Sequence, residues 1–142
     1  MGTGKSYEYF DHTADIGVHI FGATFPELFG NAAVALYDTL GKFVMKGGSV
    51  ERVIEVSSDG AEELMIEWLS ELLFRFDVHG ELYTKIEFES LGERRLRARV
   101  RGGVVDLTRS ELNCELKAVT HHGAKVERLP DGRWQATIIF DV

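Results

Sequence analysis

Asp11, His12, Thr13 and Asp15 place two carboxylates, an imidazole and a hydroxyl within five positions. Carboxylate, hydroxyl and carbonyl oxygens are the donors that Ca²⁺, Mg²⁺ or Mn²⁺ prefer. Two carboxylates do not close a cage, so further oxygens must come from elsewhere. Asp141 and the Val142 carboxylate, at the end of an alternating strand-like run, are the candidates. A catalytic reading makes His12 a general base oriented by Asp11 or Asp15. No serine, cysteine or lysine is set beside it as a nucleophile, and no oxyanion loop is visible. The plainest alternative is local: Asp and Thr side chains bonding the backbone in an Asx-turn or ST-turn.

Other chemistry is weaker. One cysteine and scattered histidines give no zinc-ligand spacing. His121 and His122 point to opposite faces of a continuing strand and cannot share an ion from there. Cys114 has Glu111 and Glu115 nearby, charges expected to raise its pKa and leave it inert.

Two short strands must carry the polar cluster. Tyr7 to Phe10 precedes it, and Gly17 to Phe21 follows with alternating side chains. Thr24 to Leu40 has a helical apolar stripe, a Thr24/Glu27 capping box, Pro26 in the first turn and Gly41 as C-cap. Val50 to Val56 is expected as a strand. Asp59 to Phe76 has the same stripe, with Asp59/Glu62 as its capping box. Its other face carries Glu63, Glu67 and Glu71, read as a solvated face ahead of an acidic docking surface; Glu71 precedes Arg75 in the favourable order.

Lys85 to Ser90 and Leu96 to Val100 alternate about a Leu91-Gly92-Glu93 turn. Arg95, Arg97, Arg99 and Arg101 then share one face. A hairpin would set that ladder opposite Glu87 and Glu89, which favours cross-strand ion pairs over RNA contact; base-stacking aromatics are missing from the face. Gly102-Gly103 is read as interrupting the strand and Asp106 to Asn113 as an irregular or short helical connection. Glu115 to Thr120 and Ala124 to Leu129 are strands either side of a kink at His121-His122-Gly123. Pro130-Asp131-Gly132 is a turn into the final strand, where Trp134, Ala136, Ile138 and Phe140 alternate up to Asp141. The whole is α+β: two amphipathic helices packed on a largely antiparallel β-sheet, a single domain over 1–142 with a loose tail at 1–5.

Composition narrows the partners. A formal charge of −7 repels nucleic acid on average, so direct RNA binding is not expected. A single cysteine, no leader-like start and no run of about 20 apolar residues point to a soluble cytoplasmic protein.

Four blocks in order resemble the archease family: His12-Thr13-Ala14-Asp15-Ile16-Gly17, Glu67-Trp68-Leu69-Ser70-Glu71-Leu72-Leu73, Glu115-Leu116-Lys117-Ala118-Val119-Thr120, and Asp131-Gly132-Arg133-Trp134 through Phe140-Asp141-Val142. His121 departs from the family pattern, which usually has tyrosine after Ala-Val-Thr. The resemblance implies an α+β accessory protein without ligase chemistry of its own. Its partner would be a GTP-dependent RNA ligase of the RtcB type in tRNA splicing. It would promote guanylylation of the ligase histidine and multiple turnover. It also implies a divalent cation, typically Ca²⁺, on Asp15, Asp141 and Val142, with Asp11, His12 and Thr13 as supporting candidates. A chaperone-like module for a nucleic-acid-processing partner and a small metal-dependent hydrolase are the alternatives.

Overall fold

The computed structural model of the chain describes residues 5–12 and 15–142, without the side chains of Asp11 and His12. Strands β1 (Tyr7–His12) and β2 (Asp15–Gly22) are followed by helix α1 (Phe25–Leu40). Next come β3 (Gly41–Lys42), β4 (Val50–Ser57) and helix α2 (Ala61–His79). The chain ends with β5 (Glu81–Leu91), β6 (Arg95–Val104), β7 (Glu111–Leu112), β8 (Ala118–Arg128) and β9 (Trp134–Asp141). This is the expected α+β domain, with all strand pairs antiparallel. The strands form three sheets rather than one: β1-β2-β9-β8, β4-β6-β5 and the short pair β3-β7.

The capping signals are realised unevenly. At α1, Thr24 Oγ1 accepts from the Glu27 N–H at 3.2 Å, while the Glu27 carboxylate reaches back to the Ala23 N–H at 2.9 Å. At α2 the expected Asp59/Glu62 box does not form: Gly60 is the N-cap and no side chain caps the helix. A tertiary contact claims Glu62 instead. Ser58 Oγ donates to the Gly60 carbonyl, and Glu62 accepts from the Val126 N–H of β8. The helix also runs past Phe76 to His79, where the Gly80 N–H closes it on the Arg75 and Phe76 carbonyls.

The two apolar stripes meet the sheets in one core. Trp68 is fully buried and its indole N–H donates to the Phe29 carbonyl at 3.0 Å, tying α2 to α1. Its ring packs on Phe88 of β5, 5.3 Å between centroids. Removing an aromatic of this size costs about 3–5 kcal/mol, a large share of the roughly 5–15 kcal/mol that holds a domain.

The Gly102-Gly103 pair does not interrupt β6, contrary to the sequence expectation; the strand continues to Val104. Gly102 lies between Val50 and Tyr83 in the ladder, and a Cβ there would collide with the Leu82 carbonyl. Glycine thus allows a close backbone approach that keeps the sheet going. The His121-His122-Gly123 kink is a bulge within one long strand: the β8–β9 register shifts between Thr120 and Lys125, and Gly123 has φ 66°.

Glu81 is buried at 5% exposure where β5 begins. It accepts from the Tyr83 hydroxyl at 2.6 Å and from Arg52 of β4 at 2.8 Å. Burial pushes the Glu81 carboxyl up, but these two donors outweigh it and hold it below the usual glutamate range. Glu81→Gln should lower stability at neutral pH by about 1–3 kcal/mol. A depressed native pKa contributes fully above the unfolded-state value and is lost as pH falls through the native one. Denaturant melts of both proteins, run from neutral into acid, should show the gap closing only on the acid side; a gap independent of pH would contradict this assignment.

Candidate functional site

The end of the four-stranded sheet is built by two pairings. On one side β1 pairs with β2 as far as His12↔Asp15; on the other, β2 pairs with β9 from Gly22↔Trp134 to Ile16↔Phe140. Asp15 and Asp141 each lie one step beyond that last pair, at the same end of the sheet. Alternation then decides the face. Val18, Ile20, Ala136, Ile138 and Phe140 turn into the core. Asp15 therefore shares the other face with Gly17 and His19, and Asp141 shares it with Thr137 and Ile139. Two carboxylates from opposite ends of the sequence come to neighbouring strand ends.

Side chains behind them hold that end in place. Phe10 lies over Gly17, where a Cβ would strike its ring, and stacks on His19 with 4.5 Å between centroids. His19 Nδ1 is within 3.1 Å of both Thr137 Oγ1 on β9 and Gln135 Nε2. This packing gives a physical reason for glycine at the end of the motif: any side chain at Gly17 would displace Phe10. Val142 follows Asp141 and is 37% exposed. The Asp141 carbonyl accepts from the Lys117 N–H at 2.8 Å, which anchors the strand end.

Like charges set opposite each other on a sheet repel. Oxygen donors alone select a hard ion over zinc or copper. Among the described residues no group of three or more His, Cys, Asp or Glu side chains is gathered around one point. A cation here would take two carboxylates and complete its shell with main-chain oxygen and water, as hard cations commonly do. Thr13, and the side chains of Asp11 and His12, lie outside the described residues.

A cavity of about 490 Å³ opens beside Asp15. Its wall includes Asp38 and Thr39 from the end of α1, with Asn113 and Cys114. Tyr7 donates its hydroxyl to Asp38 at 2.7 Å. Burial first, then the Asp38 carboxylate, pushes the Tyr7 phenol well above its usual range, so it remains a donor. Thr39 donates to the Ala35 carbonyl at 2.7 Å, and the Tyr9 hydroxyl lies 2.9 Å from Thr39 Oγ1. Asn113 reaches the Asp38 carbonyl at 3.3 Å, and Cys114 Sγ the Thr39 carbonyl at 3.3 Å. Burial raises the Cys114 thiol, which agrees with inertness; the neighbouring glutamates are not the cause.

The apolar stripe of α1 does not reveal Asp38 as a cavity residue. One signal was available: a carboxylate in the last helical turn opposes the helix dipole, and no basic residue accompanies it there.

The arginine ladder is enclosed by carboxylates on both sides. Glu89 bridges Arg97 at 2.7 Å and Arg99 at 3.0 Å, and Glu87 pairs in register with Arg99. From β4, Glu55 meets Arg97 and Glu51 meets Arg101, each at 2.8 Å. The sequence pattern suggested the β5 partners but not those of β4, because nothing local shows that β6 is the central strand.

A family model, the archease protein family (MTH1598/TM1083), matches residues 7–142. The chain is 37% identical to the protein archease of Pyrococcus furiosus over 97% of its own length and 99% of the relative. It is 34% identical to that of Methanosarcina barkeri, covering 98% and 97%. The solution structure of Methanobacterium thermoautotrophicum protein 1598 superposes with a TM-score of 0.74 at 30% identity, covering 96% of this chain and 99% of that one. The crystal structure of a Thermotoga maritima archease, described as a possible chaperone, gives a TM-score of 0.66 at 23% identity over 94% of each chain, a likeness of fold.

Exposed ion pairs contribute little and are screened by salt. Arg97→Ala should thus lower the melting temperature slightly, with the difference fading at high salt, and should leave retention on immobilised RNA unchanged. Loss of RNA retention by the folded variant would instead make the ladder a nucleic-acid surface.

Proposed function

The chain belongs to the archease family, and from that premise we propose that it is a non-catalytic accessory protein of an RtcB-type, GTP-dependent RNA ligase in tRNA splicing. In this reading it promotes guanylylation of the ligase histidine and lets the ligase turn over repeatedly. The observation that carries the proposal is the placement of Asp15 and Asp141 at neighbouring strand ends by the β2–β9 register.

Asp15, Asp141 and a main-chain oxygen of Val142 would hold a divalent cation, Ca²⁺ by family resemblance, with Mg²⁺ or Mn²⁺ equally compatible with oxygen donors. Such an ion supplies positive charge for orienting an anionic group such as a nucleotide phosphate. The chain's own contribution is positional. Paired strands place both carboxylates, Phe10 packs on Gly17 beside them, and the acidic strand ends would bring concentrated charge to a partner's pocket. Orientation and preorganised charge are effects worth orders of magnitude in rate. Direct RNA binding is no part of the proposal, since the acidic chain keeps its arginines at positions 97, 99 and 101 paired with glutamates.

A second reading is a chaperone-like module that stabilises its partner without entering the partner's site. The exposed apolar residues Leu107 and Leu112 favour it. A small hydrolase would instead require turnover with no partner present.

The test is RNA ligation by the cognate ligase at concentrations well below substrate, with and without this protein. Asp15→Asn and Asp141→Asn should each reduce ligation to the unassisted rate. Their melting in chelator should change little, because such surface substitutions stay within about 0.5 kcal/mol. Full stimulation by both folded variants would remove the acidic end from the mechanism and favour the chaperone-like reading.

A further inference from the structure

A second cavity, of about 580 Å³, shares Asn113 and Cys114 with the first as a common wall. Its depth is apolar: Leu40, Val105 and Leu116 are buried there, and Phe76 packs against the core. Two side chains at its mouth are apolar yet uncovered, Leu107 at 57% exposure and Leu112 at 60%.

Four charged or titratable side chains line it besides. Lys46 bears on Asp106, outside the cavity, and His79 on Glu81. The remaining two, Asp77 and Glu115, are both carboxylates, and neither has an ion-pair partner among the described residues. Burial first, and then the Glu115 charge, pushes the Asp77 carboxyl above its usual range. Two carboxylates bearing on each other at an apolar wall are a costly arrangement that a cation between them would relieve.

We propose that this cavity is a docking site for a protein partner, which inserts a lysine or arginine flanked by aliphatic residues. The stem of such a side chain would lie along Leu40, Phe76 and Val105, with its charged head between Asp77 and Glu115. A small amine would satisfy the carboxylates but leave Leu107 and Leu112 in water. Covering those leucines takes a longer chain with apolar neighbours, which points to a polypeptide. The net charge of −7 draws a basic segment toward the chain. This site does not depend on the acidic end formed by Asp15 and Asp141.

The experiment is amide chemical-shift titration of the full ¹⁵N-labelled chain with three probes. The first is an acetylated, amidated peptide with a lysine between two leucines. The second is the same peptide with norleucine replacing lysine, and the third is butylamine. The lysine peptide should shift the segments 76–80, 104–107 and 112–116 saturably. Norleucine, Asp77→Asn with Glu115→Gln, and Leu112→Ser should each weaken binding about tenfold or more. Each variant's unperturbed amide spectrum reports that it is folded. Absence of saturable shifts in those segments, or equal binding of the norleucine peptide, would overturn the proposal. Butylamine binding as tightly as the lysine peptide would also overturn it, since the leucines would then be unused.

Discussion

The antiparallel pairing of β2 with β9 is the constraint on which the candidate site depends. It is a pairing between segments more than a hundred residues apart, and its register sets which residues share a face. A slip of one residue would turn the apolar set of one strand, Val18 and Ile20 or Ile138 and Phe140, out of the core. Burying those four side chains contributes on the order of 1.5–3 kcal/mol each, so the register is strongly determined. The carboxylates are thus positioned by hydrophobic burial further along the same strands, and the electrostatic cost of juxtaposing them is small beside it. His19, bonded to Thr137 and stacked under Phe10, reinforces the same register from the opposite face.

The distribution of charge follows the same division of labour. On the three-stranded sheet, arginine and glutamate alternate across β4, β6 and β5, so that the face is highly charged but internally neutralised. Among the described residues, Asp77 and Glu115 have no such ion-pair partner. An acidic chain whose arginine face is neutralised in this way is better suited to meeting basic or cationic groups than to following a nucleic-acid backbone.

Much of this architecture was legible in the sequence. Helical stripes at Phe25 to Leu40 and Ala61 to Phe76, alternation in β2, β6 and β9, and the Thr24 cap are local signals, and they read correctly. The misreadings share a physical cause. Gly102 resembled a strand break because its purpose, a close approach to Leu82, exists only in three dimensions. Asp59 and Glu62 formed a plausible cap, but Glu62 is held by Val126 on β8. Asp141 and Asp15 could be suspected as partners from their residue types and family motif; their common strand end required the β2–β9 register. Asp38 and Asn113 were not singled out, since only the fold brings the end of α1 and the segment after β7 to one cavity.

The central claim is that Asp15 and Asp141 act together as one cation site, and a double-mutant cycle on Ca²⁺ binding tests it most directly. Calorimetry would compare the natural chain, Asp15→Asn, Asp141→Asn and the double substitution, each after chelator treatment. A shared site predicts strong non-additivity: either single substitution removes nearly all the binding that the double substitution removes. Binding losses that simply add, or Ca²⁺ affinity that survives the double substitution, would contradict the account.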